Sequence, residues 1–182
     1  GRRIALEGDL RRALQKDELR VYYQPIAEIG TRRAVAREAL LRWAHPSRGL
    51  VAPGEFIGVA EDTGVILRIG ERALHAACAW TMGLGEDRRL PVSVNLSARQ
   101  FNDPRLLDLV GRVLGETGLA PAMLGFEINE STLMQQTDHT LSALRKLKQL
   151  GVALSVGDFG AGQSSLAFLK RFHLLHEGLI LF

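Results

Sequence analysis

The chain holds a single cysteine, Cys78, in 182 residues. It cannot form an internal disulfide, and its setting in ALHAACAW marks it as a small core residue rather than a redox centre. Long hydrophobic runs are also missing. No stretch of eighteen or more apolar residues occurs, so no segment reads as a membrane-spanning helix. The basic start GRRIALEGDLRRALQ is not followed by an apolar stretch and does not read as a secretory signal. These absences predict a cytoplasmic protein with no direct membrane contact, and they leave room for an anchor elsewhere in a longer polypeptide. The sequons at Asn95 and Asn129 carry no weight in an unsecreted protein. Charge of one sign is not clustered, and the aromatics, 6% of residues, are not interleaved with basic ones. A platform for DNA or RNA is therefore not expected.

What is present fits one globular domain able to bury a sizeable core, with 46% hydrophobic and 24% charged residues. The net charge of +3 allows two readings: a solvated arginine-rich surface, or attraction for an anionic ligand through the bidentate guanidinium fork. Apolar periodicity alternates between helices and short strands. Residues 7–16 read as an amphipathic helix, and 19–26 and 32–40 as strands around a Gly-containing turn. Pro53 opens a short helix, a position where its missing N–H costs nothing. A longer helix follows over 65–82. Strands are expected at 91–96, 124–129, 152–159 and 178–182, with helices around 104–117, 131–149 and 164–171. Such alternation implies parallel βαβ units.

The polar residues then fall into a pattern. Glu38 is expected near the end of the second strand, Asn95 near the end of the third, Glu127 late in the fourth and Asp158 just after the fifth. The last three are spaced by 32 and 31 residues, close to one βα repeat. In a (β/α) barrel the C-terminal strand ends converge on one mouth. A carboxylate inside an apolar strand such as LGFEIN is costly to bury without a cation or donor. Four oxygen-bearing side chains at equivalent positions fit a hard divalent cation, Mg²⁺ or Mn²⁺. Taken singly, Asn95 also reads as a cap of the following turn, a role Ser97 fills as well, and Asp158 also reads as a turn residue. The glycine-rich GDFGAGQSS could cradle a phosphate, but alone it is a weak signal. Asp158-Phe159-Gly160 imitates a kinase metal motif, yet no glycine-rich loop or catalytic loop of that class precedes it. The strand–helix alternation also argues against a helix-turn-helix regulator.

These residues resemble the EAL family. The resemblance runs from Leu19 through YQPI (23–26), EALLRW (38–43), HP (45–46), PGEFIGVAEDTG (53–64), VNLSARQF (94–101), FEINES (126–131) and DFGAGQSSLAFLKR (158–171). It implies an α/β fold, a TIM-like (β/α) barrel whose first strand is antiparallel to the rest, here truncated to about six strands. It implies binding of cyclic di-GMP at the barrel mouth and, in active members, hydrolysis to pGpG with two Mg²⁺ or Mn²⁺ ions. Glu38, Asn95 and Glu127 match family metal ligands, and Asp158 matches the second of two tandem aspartates. Arg42 matches an arginine that meets a ligand phosphate, and Gln24 a residue on the nucleotide side. Glu130 matches a glutamate that steadies the loop after the fifth strand, and the resemblance makes Glu38, Asp158 and Glu130 the catalytic residues.

The departures from the family are equally specific. The family loop reads DDFGTGYSS, and this chain has Gly157 in place of the first aspartate, which would bridge both metals. Gly178 and Ile180 fall where the family carries a lysine and an aspartate, and Lys170 matches a different family lysine. The match then stops where two further βα units would follow. The resemblance so implies weak or no phosphodiesterase activity and a nucleotide-binding or regulatory role, the alternative being an active Mg/Mn-dependent phosphodiesterase. Six strands leave parallel edges, which predicts a homodimer, a domain-swapped oligomer or a covering C-terminal part. Family analogy makes residues 1–18 a connecting helix, with a cyclase-like or sensor domain as a neighbour in the same polypeptide and 19–182 as the EAL domain.

Overall fold

The computed structural model describes residues 2–129, 132, 138–157 and 180–181, with side chains placed for 6–129, 132 and 141–157. Helix α1 (Arg2–Gln15) leads into an antiparallel hairpin of β1 (Leu19–Ala27) and β2 (Ala34–His45). A three-residue strand, β3 (Gly49–Val51), folds back on the end of β2. Helices α2 (Pro53–Thr63) and α3 (Val65–Gly83) follow, then β4 (Val92–Leu96), the single-turn α4 (Ala98–Phe101) and α5 (Leu106–Thr117). β5 (Leu124–Asn129), α6 (Asp138–Gln149), β6 (Ala153–Gly157) and β7 (Ile180–Leu181) complete the described elements. The sheet runs β1-β2-β4-β5-β6-β7 with β3 attached to β2. Among the described residues only the pairings of β1 and β3 with β2 are antiparallel; from β2 onward along the main path every described pair is parallel.

Local chemistry sets the boundaries. Pro53 sits at the start of α2, and Gly64 ends it in the left-handed region at φ 77°, where a side chain would be strained. Gly118 closes α5 in the same way at φ 72°. Along α5, Leu106, Val110, Val113 and Leu114 form one buried stripe at helical spacing. Along β5 the period is two: Leu124, Phe126 and Ile128 are buried, and Gly125, Glu127 and Asn129 point the other way.

Two cores result. The larger lies between the helix-facing side of β4, β5 and β6 and the inner faces of α3, α5 and α6, with Phe126, Ile128, Leu144 and Leu147 essentially sealed. Cys78 belongs to it and is fully buried, as its apolar setting suggested. The smaller core gathers Leu10, Ala13 and Leu14 of α1 around Trp43, Phe56, Ile66 and Ile69. α3 serves both: its first turns contribute Val65, Ile66 and Ile69 to one, and Leu74, Ala77 and Cys78 to the other.

Two expectations need correction. The second strand does not end at residue 40 but runs to His45, because Trp43 pairs with Leu19 on one side and Val51 on the other. Glu38 is therefore in the middle of β2, not near its end. β3 itself was not anticipated, since three residues are too few to display a period. Asp158, Glu130, Gly178 and Lys170, the helix expected at 164–171 and most of the glycine-rich loop lie outside the described residues. No helix among the described residues is long and apolar enough to cross a membrane.

Candidate functional site

The face of the sheet opposite the helices carries the polar residues. On β2 the even positions Glu38, Leu40 and Arg42 share this face, and their cross-strand partners on β1 are Gln24, Tyr22 and Arg20. Gln24 thus stands directly beside Glu38. Arg42 lies roughly 13 Å further along the strand at the usual rise per residue, and its Nη1 donates to the Leu41 carbonyl at 2.8 Å. Tyr22, half exposed, adds an aromatic surface between them.

Glu38 and Asn95, 57 residues apart in the chain, meet here: Asn95 Nδ2 donates to Glu38 Oε1 at 2.8 Å. Asn95 pairs in register with Glu127 on the next strand, so both side chains rise from the same face. Asn129, at the end of β5, accepts hydrogen bonds from the Thr132 backbone N–H at 3.0 Å and from the Thr132 hydroxyl. A cavity of about 290 Å³ lies between the sheet and helices α2 and α3 and reaches this rim: its walls are largely apolar, with Leu41, Ile57, Ile66 and Ile69, and include Asn95, Glu127, Asn129, Ser97 and Gln100.

Gly157 ends β6 beside Asn129. A Cβ added there would stand 2.8 Å from Cδ and 2.9 Å from Cγ of Glu127, and closer still to its Oε1. The Glu127 carboxylate therefore lies across Gly157, in the space a side chain at 157 would need. Of the residues singled out from sequence, Gln24, Glu38, Arg42, Asn95 and Glu127 share one sheet face, and Glu38 and Asn95 are in contact. Glu130 and Asp158 are not among the described residues.

The donor set tests what a metal would find. Glu38, Asn95 and Glu127 offer two carboxylates and one carboxamide, all hard oxygen donors suited to Mg²⁺ or Mn²⁺. Among the described residues no group of three or more His, Cys, Asp or Glu side chains is placed to hold a metal ion. Glu38 and Asn95 are in contact, and the Glu127 carboxylate lies over Gly157.

Ser97 is the cap that the sequence suggested, and its capping partner Gln100 went unnoticed there. Ser97 Oγ accepts from the Gln100 backbone N–H at 3.3 Å while Gln100 Oε1 accepts from the Ser97 backbone N–H at 3.2 Å, a reciprocal capping box. The Ser-x-x-Gln spacing in NLSARQF was the available signal. Its partner Gly70, in the middle of α3, carried none.

An α/β sheet with an antiparallel first strand and an oxygen-lined rim defines a TIM-like barrel class of protein. The EAL domain model matches residues 7–175, and the chain belongs to the EAL domain family. It is 40% identical to the cyclic di-GMP phosphodiesterase NbdA of Pseudomonas aeruginosa over 94% of this chain and 22% of that protein. It is 42% identical to the bifunctional diguanylate cyclase/cyclic di-GMP phosphodiesterase MucR of the same organism, over 92% of this chain and 25% of that one. The chain thus spans a quarter or less of the length of these curated relatives. Among solved structures, the PaMucR phosphodiesterase in complex with c-di-GMP superposes with a TM-score of 0.85 at 43% identity, over 92% of this chain and 68% of that one. The EAL enzyme Bd1971, in its cAMP and cyclic-di-GMP bound form, gives 0.86 at 28% identity, over 93% of this chain and 47% of that one.

Proposed function

We propose that this chain is a cyclic di-GMP domain of second-messenger signalling that binds the nucleotide at the rim and hydrolyses it weakly or not at all. The observation that carries the reading is Glu127 lying across Gly157. A glycine supplies no ligand, and the neighbouring carboxylate has taken the place where a bridging aspartate would stand. In the family, phosphodiester cleavage to pGpG runs on divalent cations, which polarise the phosphoryl group and lower the pKa of a bound water. Here Glu38, Asn95 and Glu127 would hold one such ion. Arg42 would meet a phosphate of the ligand through its guanidinium fork, and Gln24 would face the nucleotide beside Glu38. Asp158 and Glu130 are assigned their catalytic and loop-steadying roles by motif alone.

The alternative, an active Mg/Mn-dependent phosphodiesterase, draws on the same rim, since Glu38, Asn95 and Glu127 all stand on one face. Incubating the purified chain with cyclic di-GMP and Mn²⁺ separates the two. Binding without release of pGpG is the expected result. Clear turnover would establish the enzyme, and absence of binding would reject both readings. A cyclase-like or sensor domain in the same polypeptide, and self-association through the sheet edge as a homodimer or swapped oligomer, complete the proposal.

A further inference from the structure

We propose that Gln100, seated on Gly70 of α3, is a positioning residue that sets the orientation of Asn95 through the Ser97–Gln100 capping box. The inference rests on the reading of Asn95 as a rim ligand and adds a residue pair to it.

β4 ends at Leu96, one residue past Asn95, and the chain turns at once through Ser97 into α4. Ser97 and Gln100 make that turn by satisfying each other's backbone N–H groups. The Gln100 side chain can reach back only because α3 carries no side chain beneath it. A Cβ on Gly70 would lie 2.6 Å from Gln100 Cδ, and nearer still to Nε2. Arg99, the preceding residue, pins the same turn to α2. Its Nη1 donates to the carbonyls of Glu61 at 2.6 Å and Asp62 at 3.3 Å, in the last turn of that helix. Phe101, 1% exposed, anchors the far end in the larger core. The turn is thus fixed at three consecutive residues, and Gln100 alone of them also lines the rim cavity. Asn95, five residues before Gln100, spends its Nδ2 on Glu38 and leaves Oδ1 for a ligand. Loosening the box frees the strand end and lets the carboxamide rotate.

Three variants test the clamp: Gln100→Ala, Gln100→Glu and Gly70→Ala. Glutamate at this position keeps the box. Alanine in a helix interior ordinarily stabilises relative to glycine, so a purely helical role predicts an improved Gly70→Ala. The readout is the Asn95 side-chain amide pair in a ¹H–¹⁵N spectrum, assigned by its loss in Asn95→Asp. Gln100→Ala and Gly70→Ala should shift or broaden it, and Gln100→Glu should leave it in place. Mn²⁺ affinity by calorimetry should fall about three- to tenfold in Gln100→Ala, the range a lost cap corresponds to, with no further loss when Asn95→Ala is already present. An unmoved Asn95 signal, or a moved signal with unchanged Mn²⁺ affinity, overturns the proposal, as does a Gln100→Ala that only lowers the urea midpoint. If the wild-type chain binds neither Mn²⁺ nor cyclic di-GMP, the functional reading falls and the Asn95 signal alone decides the clamp.

Discussion

Gly157 and Glu127 show how a single missing side chain rearranges its neighbour. The Glu127 carboxylate occupies the volume above Gly157, so Gly157→Asp would bring two carboxylates into contact and raise the cost of ionising both. Without metal this variant should melt lower by roughly 3–6 °C, corresponding to about 1–2 kcal/mol in a chain of this size. Added Mn²⁺ should close much of that gap by neutralising the pair; an unchanged melting temperature without metal would mean that Glu127 is not there. Behind the sheet, burial pushes the Cys78 thiol up to about 11. Burial, with a smaller contribution from Cys78, pushes the Tyr23 phenol up to about 12. Both are acids whose charged forms the fold disfavours, so the folded chain keeps protons that the unfolded chain releases. These two groups leave stability unaffected at lower pH and erode it as pH rises from 9.0, the ordinary thiol value, toward 12. Urea midpoints measured from pH 7 to 11 should fall above pH 9, with a shallower fall in Cys78→Ala. A parallel decline in both proteins would show that the thiol contributes nothing.

Among elements, the hairpin of β1 and β2 is fastened to α3 by an aromatic stack. The rings of Tyr23 and Trp80 lie 3.6 Å apart between centroids and 7° from parallel, and the Arg37 guanidinium sits 5.4 Å from the Trp80 ring. Tyr23 also donates its hydroxyl to the Ala76 carbonyl at 3.3 Å. Because β1 carries Gln24 and β2 carries Glu38, this stack holds one wall of the rim in place. Trp80→Ala should cost about 2–3 kcal/mol in urea denaturation, less than a fully buried tryptophan because Trp80 is only partly covered. A loss below about 0.5 kcal/mol, the size of an ordinary surface change, would assign the fastening elsewhere.

Across the whole molecule, α1 belongs to a core. Leu10 and Ala13 have no exposed surface and Leu14 is 7% exposed, packed with Trp43 and Phe56. Removing residues 1–15 should destabilise the chain by about 4 kcal/mol, the burial of two leucines and an alanine, and red-shift the emission of Trp43, which is fully buried in the intact protein. An unchanged melting curve would make α1 a mere connector. The order of the longer strands and helices among the described residues was legible in the sequence because period two and period 3.6 survive in short windows, and Gly118 and Pro53 marked ends through backbone constraints of their own. The length of β2 was not legible: Trp43 is held in a strand by partners at Leu19 and Val51, and no local pattern records them. Glu38, Asn95 and Glu127 were readable as candidates because carboxylates and amides in apolar strands need a reason. That Asn95 bonds Glu38, that Glu127 folds over Gly157 and that Gln100 rests on Gly70 are contacts across 57, 30 and 30 residues of chain. The sequence by itself determined which polar side chains stand as candidates for holding an ion or a phosphate. The tertiary structure decided which of them meet, because hydrogen bonds and steric contact act over a few ångströms of space, whatever the distance along the chain.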